Sequence, residues 1–316
     1  MSVQFSKLVA DVAADGHIAA EELSELRQLG WGDGTIYREE AEAIFVLNRD
    51  LKEKSPEWVD FFVEALGEFV VNGTEPRGYV DEDEASWLVD ELDHDGKLGS
   101  MAELELLVRI IERAQNVPDM LKHYALRQVE SAVLAGTGPT RDGGELSDTH
   151  ISDAEVQITR RVIFASGGHG PAAVSRFDAE MLFRLKDRTL EANNSDSWQD
   201  LFVKGVGNYL MGFTLPSAQL SHDRKTELEA FIADNKPNVG RFFGEMVRET
   251  PNVANHFGKV FGKKPDQPTA YGRMGTGQIV TENEQNWLDG QIVANGKIDP
   301  LDKALLVYLA HELHED

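Results

Sequence analysis

The residues of this chain best placed to do chemistry are acids beside tight turns. Asp15-Gly16-His17-Ile18 is followed four residues later by Glu22. Asp95-Gly96-Lys97-Leu98 has Ala102 at that place and Glu103 one further on. Asp33-Gly34-Thr35-Ile36 with Glu40 lies between them, and Asp148-Thr149-His150-Ile151 with Glu155 and Asn295-Gly296-Lys297-Ile298 with Asp302 come later. Such a pattern has the physics of half an EF-hand loop: glycine permits the turn, the aliphatic residue anchors it, and the next helix brings an acid in its first turn.

Set on the twelve-position calcium loop, Asp11, Asp15, Gly16, Ile18 and Glu22 fall at positions 1, 5, 6, 8 and 12, with Ala13 at position 3. The later loop offers Glu91, Asp93 and Asp95 at positions 1, 3 and 5, and Ala102 at 12 with Glu103 beside it. Neither loop is a complete calcium site. Two readings follow. In one, Asp-Gly makes the turn and the acid favours the next helix N-terminus. In the other, Asp11, Asp15, Glu22, Glu91, Asp93, Asp95 and Glu103 hold Ca2+ or another divalent cation. The late turns, which have Thr149 for Gly16 and Asn295 for Asp95, read as mainly structural.

The elements that position these turns are helices. Val80 to Leu98 returns two hundred positions on: Val80, Glu82, Glu84, Trp87, Leu88, Gly96 and Lys97 recur as Val280, Glu282, Glu284, Trp287, Leu288, Gly296 and Lys297. Agreement of this density at one offset reads as a tandem duplication, which has to be settled before any fold. Trp58, Phe61, Phe62, Ala65, Leu66, Phe69 and Val70 form one helical apolar stripe, capped by Ser55 and Pro56. Trp198, Leu201, Phe202, Gly205, Val206, Tyr209 and Leu210 repeat its spacing. The expected fold is all-α, with two tandem helical-bundle domains.

Copy 1 spans 1–135, with helices expected at 3–13, 19–30, 37–51, 56–71, 81–93, 100–115 and 118–134. A Gly/Pro/Asp/Thr-rich linker covers 136–150, and copy 2 spans 151–316 with a helical insertion at 212–279. Within the insertion, residues 236–264 carry six Lys/Arg against two Glu. Arg241, Arg248, Lys263 and Lys264 are interleaved there with Phe242, Phe243, Phe257 and Phe261. Basic residues among aromatics suit a protein partner, or the acidic first half of the chain itself.

The net charge of −24 argues against nucleic acid, whose phosphates such a surface repels. Of the 55 acids, 29 lie in residues 1–140, against only 12 of the 31 bases, so the first half is the acidic one. Cysteine is absent, which excludes disulfides and thiolate chemistry. No apolar run approaches the ~18 residues of a membrane span. The N-terminal stretch lacks the charged and apolar regions of a secretory signal, and the cytoplasm is the expected location. No nucleophile elbow, phosphate loop or HExxH pattern is present, and the chain is read as a non-enzyme.

The two motifs of DG, hydrophobic residue and downstream acid, about eighty residues apart, resemble the tellurite-resistance TerB-like domain. That resemblance covers both copies outside 212–279. It implies an all-helical fold of this size, a stress-response setting, and cation binding by acids near the motifs: Asp11, Asp15, Glu22, Asp93, Asp95 and either Glu91 or Glu103. The function so implied is a binding or scaffold protein that answers to divalent cations. The alternative is a metal-independent interaction module that uses residues 236–264.

Overall fold

The computed structural model describes residues 3–31, 35–93, 95–141, 149–165, 174–212 and 282–312. Among these there are twelve α-helices and no strand, so the fold is all-α. The helices are α1 (Val3–Asp15), α2 (Ala20–Trp31), α3 (Arg38–Asp50), α4 (Pro56–Asn72), α5 (Glu82–Leu92), α6 (Met101–Arg113) and α7 (Asp119–Ala135), then α8 (Asp153–Ile163), α9 (Arg176–Arg188), α10 (Trp198–Gly212), α11 (Glu282–Val293) and α12 (Pro300–Glu312). No described helix is long and apolar enough to cross a membrane. The chain divides into two compact units, Met1–Ser147 with Ala165–Pro171 and Asp148–Phe164 with Ala172–Asp316.

Unit 1 is built on α4 and α6. Ser55 starts α4 by accepting a hydrogen bond from the Trp58 N–H at 3.2 Å, with Pro56 in the first turn, where its missing N–H costs nothing. One face of α4 then buries Trp58, Phe61, Phe62, Ala65, Leu66 and Val70. The face of α6 it meets is aliphatic and dry, with Leu104, Leu107, Val108 and Ile111 all fully buried. In unit 2, α10 plays the corresponding part, packing against α9 and α12.

An aromatic cluster occurs in the same form in each unit. Phe45 meets Phe62 edge-on at 5.7 Å and Trp87 at 5.8 Å, and Phe69 meets Trp87 at 5.5 Å. In unit 2, Phe183 meets Phe202 at 5.2 Å and Trp287 at 5.7 Å, and Tyr209 meets Trp287 at 4.8 Å, again edge-on. These rings stand on α3, α4 and α5 in unit 1 and on α9, α10 and α11 in unit 2, and edge-to-face packing of this kind adds to simple burial. Among the described residues, α1 and α7 have no counterpart in unit 2.

Candidate functional site

Each of the two acid-bearing turns described in unit 1 is a helix end folded onto its own backbone, and the Asp33-Gly34 turn lies outside the described residues. At the first, Gly16 has φ +71°, and its N–H donates to Val12 O at 2.9 Å, closing α1. A side chain there would be strained by the backbone and pressed against Lys52 Cε at 3.1 Å. Lys52 secures the turn twice: its N–H donates to Gly16 O at 3.1 Å and its Nζ to Asp15 O at 3.1 Å. Asp15 Oδ1 accepts the His17 N–H at 2.8 Å, and Glu22 Oε2 accepts the Ala19 N–H at 2.8 Å, capping α2. Asp11 is exposed on α1, one turn before Asp15.

The second turn is left-handed at Asp95 (φ +57°) and Gly96 (φ +83°). Asp93 Oδ1 accepts the Gly96 N–H at 2.6 Å. Gln128 of α7 clasps the turn, donating from Nε2 to Gly96 O at 3.1 Å and accepting the Leu98 N–H at 3.2 Å. Glu103 is buried; its Oε2 accepts the Gly99 and Ser100 N–H groups at 2.6 and 3.1 Å. Its Oε1 accepts Asn48 Nδ2 at 3.0 Å, and Asn48 Oδ1 accepts the Trp58 indole N–H at 3.1 Å. A hydrogen-bonded relay thus runs from the α4 tryptophan through α3 to the cap of α6.

The sequence-expected acids are therefore not gathered in one place. Asp93 and Glu103 approach Tyr124; burial and then these two carboxylates raise its phenol well above the usual range. Glu91 turns instead to Arg49, at 3.6 Å, and Asp95 faces solvent. Asp11, Asp15 and Glu22 belong to the other turn. Among the described residues no group of three or more acids or histidines is arranged to hold a metal. Arg241, Phe242, Phe243, Arg248, Phe257, Phe261, Lys263 and Lys264, with nearly all of the insertion at 212–279, lie outside the described residues.

In unit 2 the position of Asn48 is taken by Lys186 on α9, and the chemistry changes. The Lys186 ammonium, fully buried, donates to Asp299 Oδ2 at 2.7 Å, Asp302 Oδ1 at 2.7 Å and Asp187 Oδ1 at 3.0 Å. Asp299 and Asp302 are also a reciprocal cap for α12: the Asp302 N–H donates to Asp299 Oδ1 and the Asp299 N–H to Asp302 Oδ2, each at 3.0 Å. Asn295 ties the preceding turn in, donating from Nδ2 to Asp187 at 2.8 Å and Asp299 at 3.2 Å. An ammonium has no lone pair to offer an indole. Accordingly the buried Trp198 Nε1 has no hydrogen-bond partner, whereas Trp58 Nε1 has one.

Burial raises the Asp302 carboxyl to about 6, with Lys186 and the Asp299 N–H opposing and the Asp299 charge adding to the rise. On Asp299 burial is outweighed by the Lys186 bond and the Asp302 N–H, and its value is lowered. Lys186 is raised because its three carboxylates outweigh burial. Sequence reasoning did not single out this cage. Its signals were a lysine, Lys186, on the apolar stripe of its helix and a second acid, Asp299, three residues before Asp302. Comparison with protein-family models, with curated proteins and with solved structures finds no match for this chain.

Proposed function

We propose that this chain is a non-enzymatic binding or scaffold protein of TerB-like type, answering to divalent cations through the acid-bearing turns of unit 1. The observation that carries this reading is the backbone at the two turns. Gly16, Asp95 and Gly96 hold the left-handed conformations of a tight loop, and Asp11, Asp15 and Asp95 are exposed near the end of α1 and in the turn after α5. A hard cation prefers carboxylate and carbonyl oxygens of this kind. Cation binding would set the tilt of α2 and α6 on the turns and so alter the surface shown to a partner. The repeated aromatic cluster supports reading the two units as copies of one domain, unit 2 having exchanged the relay for an internal ammonium.

A metal-independent module is the second reading, favoured by the fact that Glu22 and Glu103 already cap helices. Thermal unfolding in EDTA and then in millimolar Ca2+, Mg2+ or Mn2+ decides between them. A ligand that binds only the folded chain stabilises it by about 2.7 kcal/mol at a hundredfold excess over its Kd. A rise in Tm that Asp15→Ala or Asp95→Ala abolishes supports cation response. No rise with any of the three ions refutes it and leaves the metal-independent module.

A further inference from the structure

The cage around Lys186 holds more negative than positive charge away from water. The side chains of Lys186, Asp299 and Asp302 are at most 1% exposed, while Asp187 keeps 25% of its side-chain surface. With every group ionised, the dry part contains one ammonium and two carboxylates. Excess buried charge is costly, and taking up a proton is the simplest relief. From this geometry we infer that the Asp299–Asp302 pair binds one proton in the folded chain, and that this proton stabilises the folded unit 2. These residues lie in unit 2, so the inference stands apart from cation response in unit 1.

The two carboxylates are placed for unequal roles. Asp299 accepts four donors: the Leu301 and Asp302 N–H groups on Oδ1 at 2.9 and 3.0 Å, and Lys186 Nζ and Asn295 Nδ2 on Oδ2 at 2.7 and 3.2 Å. Asp302 accepts two, Lys186 Nζ at 2.7 Å and the Asp299 N–H at 3.0 Å. The better-solvated anion keeps its charge and the other takes the proton. Asp299 is thus the permanent anion and Asp302 the acceptor, in line with the opposite directions of their shifts.

Several other charged groups on the surrounding elements are engaged with partners of their own. On α10, Asp200 and Lys204 pair at 3.1 Å, and on α9 Arg176 and Glu180 pair at 2.7 Å. Lys297 of the turn lies 3.6 Å from Glu191, and on α8 Glu155 caps its own helix through Ser152. On α11, Asp289 is itself raised by burial, so a test has to subtract it.

The raised value at Asp302 fixes the sign. The folded chain holds a proton that the unfolded chain releases between pH ~3.9 and 6, so the stabilisation is complete below that window and is lost as pH rises through about 6. Asp299, being lowered, acts with the opposite sign and only at more acid pH.

Carboxyl 13C NMR of the intact, assigned wild-type chain tests this directly. The Asp302 carboxyl is expected to titrate with a midpoint near 6, and a midpoint below about 4.5 overturns the inference. Lys186→Met gives a second reading. Without the ammonium the two carboxylates repel one another unrelieved, and the midpoint moves above about 7; an unmoved midpoint overturns the inference equally. Asp302→Asn supplies a third reading, by difference in Tm. Wild type should gain about 4 °C over the variant between pH 7.5 and 5, and a constant difference refutes the proton.

Discussion

The paired tryptophans give a matched experiment on the energy of one buried hydrogen bond. Trp58 is fully buried and donates to Asn48 Oδ1 at 3.1 Å; Asn48 itself is 1% exposed. Trp198 is 2% exposed and its Nε1 donates to nothing. Replacing either by Phe removes the same atoms from equivalent positions beside Phe62 or Phe202. The packing loss is therefore similar and cancels in the comparison. What remains is the hydrogen bond, worth about 1 kcal/mol net, and the stranding of Asn48 Oδ1, worth about 1–3 kcal/mol when a buried acceptor loses its donor. Trp58→Phe should cost about 2 kcal/mol more than Trp198→Phe, close to a 30-fold difference in opening equilibrium. Native-state hydrogen exchange reads the units separately, through amides of α4 for one substitution and of α10 for the other. Equal acceleration within about threefold, or a larger effect at Trp198, would refute the account of the relay.

Three further outcomes follow from single contacts. Gly67→Ala should stabilise unit 1 by about 0.5–1 kcal/mol, because helix propensity improves and nothing lies within 4 Å of the added carbon. Gly207→Ala, the equivalent change in α10, should cost about 1–3 kcal/mol, because its Cβ would sit 2.5 Å from Tyr308 Cε1; urea denaturation checks both signs. Asp81→Ala should cost about 1 kcal/mol in thermal unfolding, since the Asp81 carboxylate accepts the Glu84 N–H at 2.8 Å and starts α5.

The all-α class, the seven helices of the first unit and the paired Trp/Phe stripes could be read from sequence, because each depends on short-range spacing. The stripe at Trp58 fixes which face of α4 is buried whatever it packs against. Proline, serine and aspartate at the starts of α4 and α5 set their N-termini through bonds within four residues. The left-handed turns at Gly16 and Gly96 were legible for the same reason.

What the acids do was decided by partners far away in sequence. Glu103, a metal-ligand candidate by spacing, is held by Asn48 from 55 residues upstream and by the backbone of its own cap. The Glu91 carboxylate pairs with Arg49, and the Asp95 turn is clasped by Gln128 from α7. The largest such effect is at Lys186, whose ion pairs to Asp299 and Asp302 span 113 and 116 residues. Local periodicity marks its position as inward-facing, and says nothing of which charges meet it there. A helix forms from bonds four residues apart, and sequence displays them; a buried charge is settled by whichever distant groups the tertiary fold brings within 3 Å.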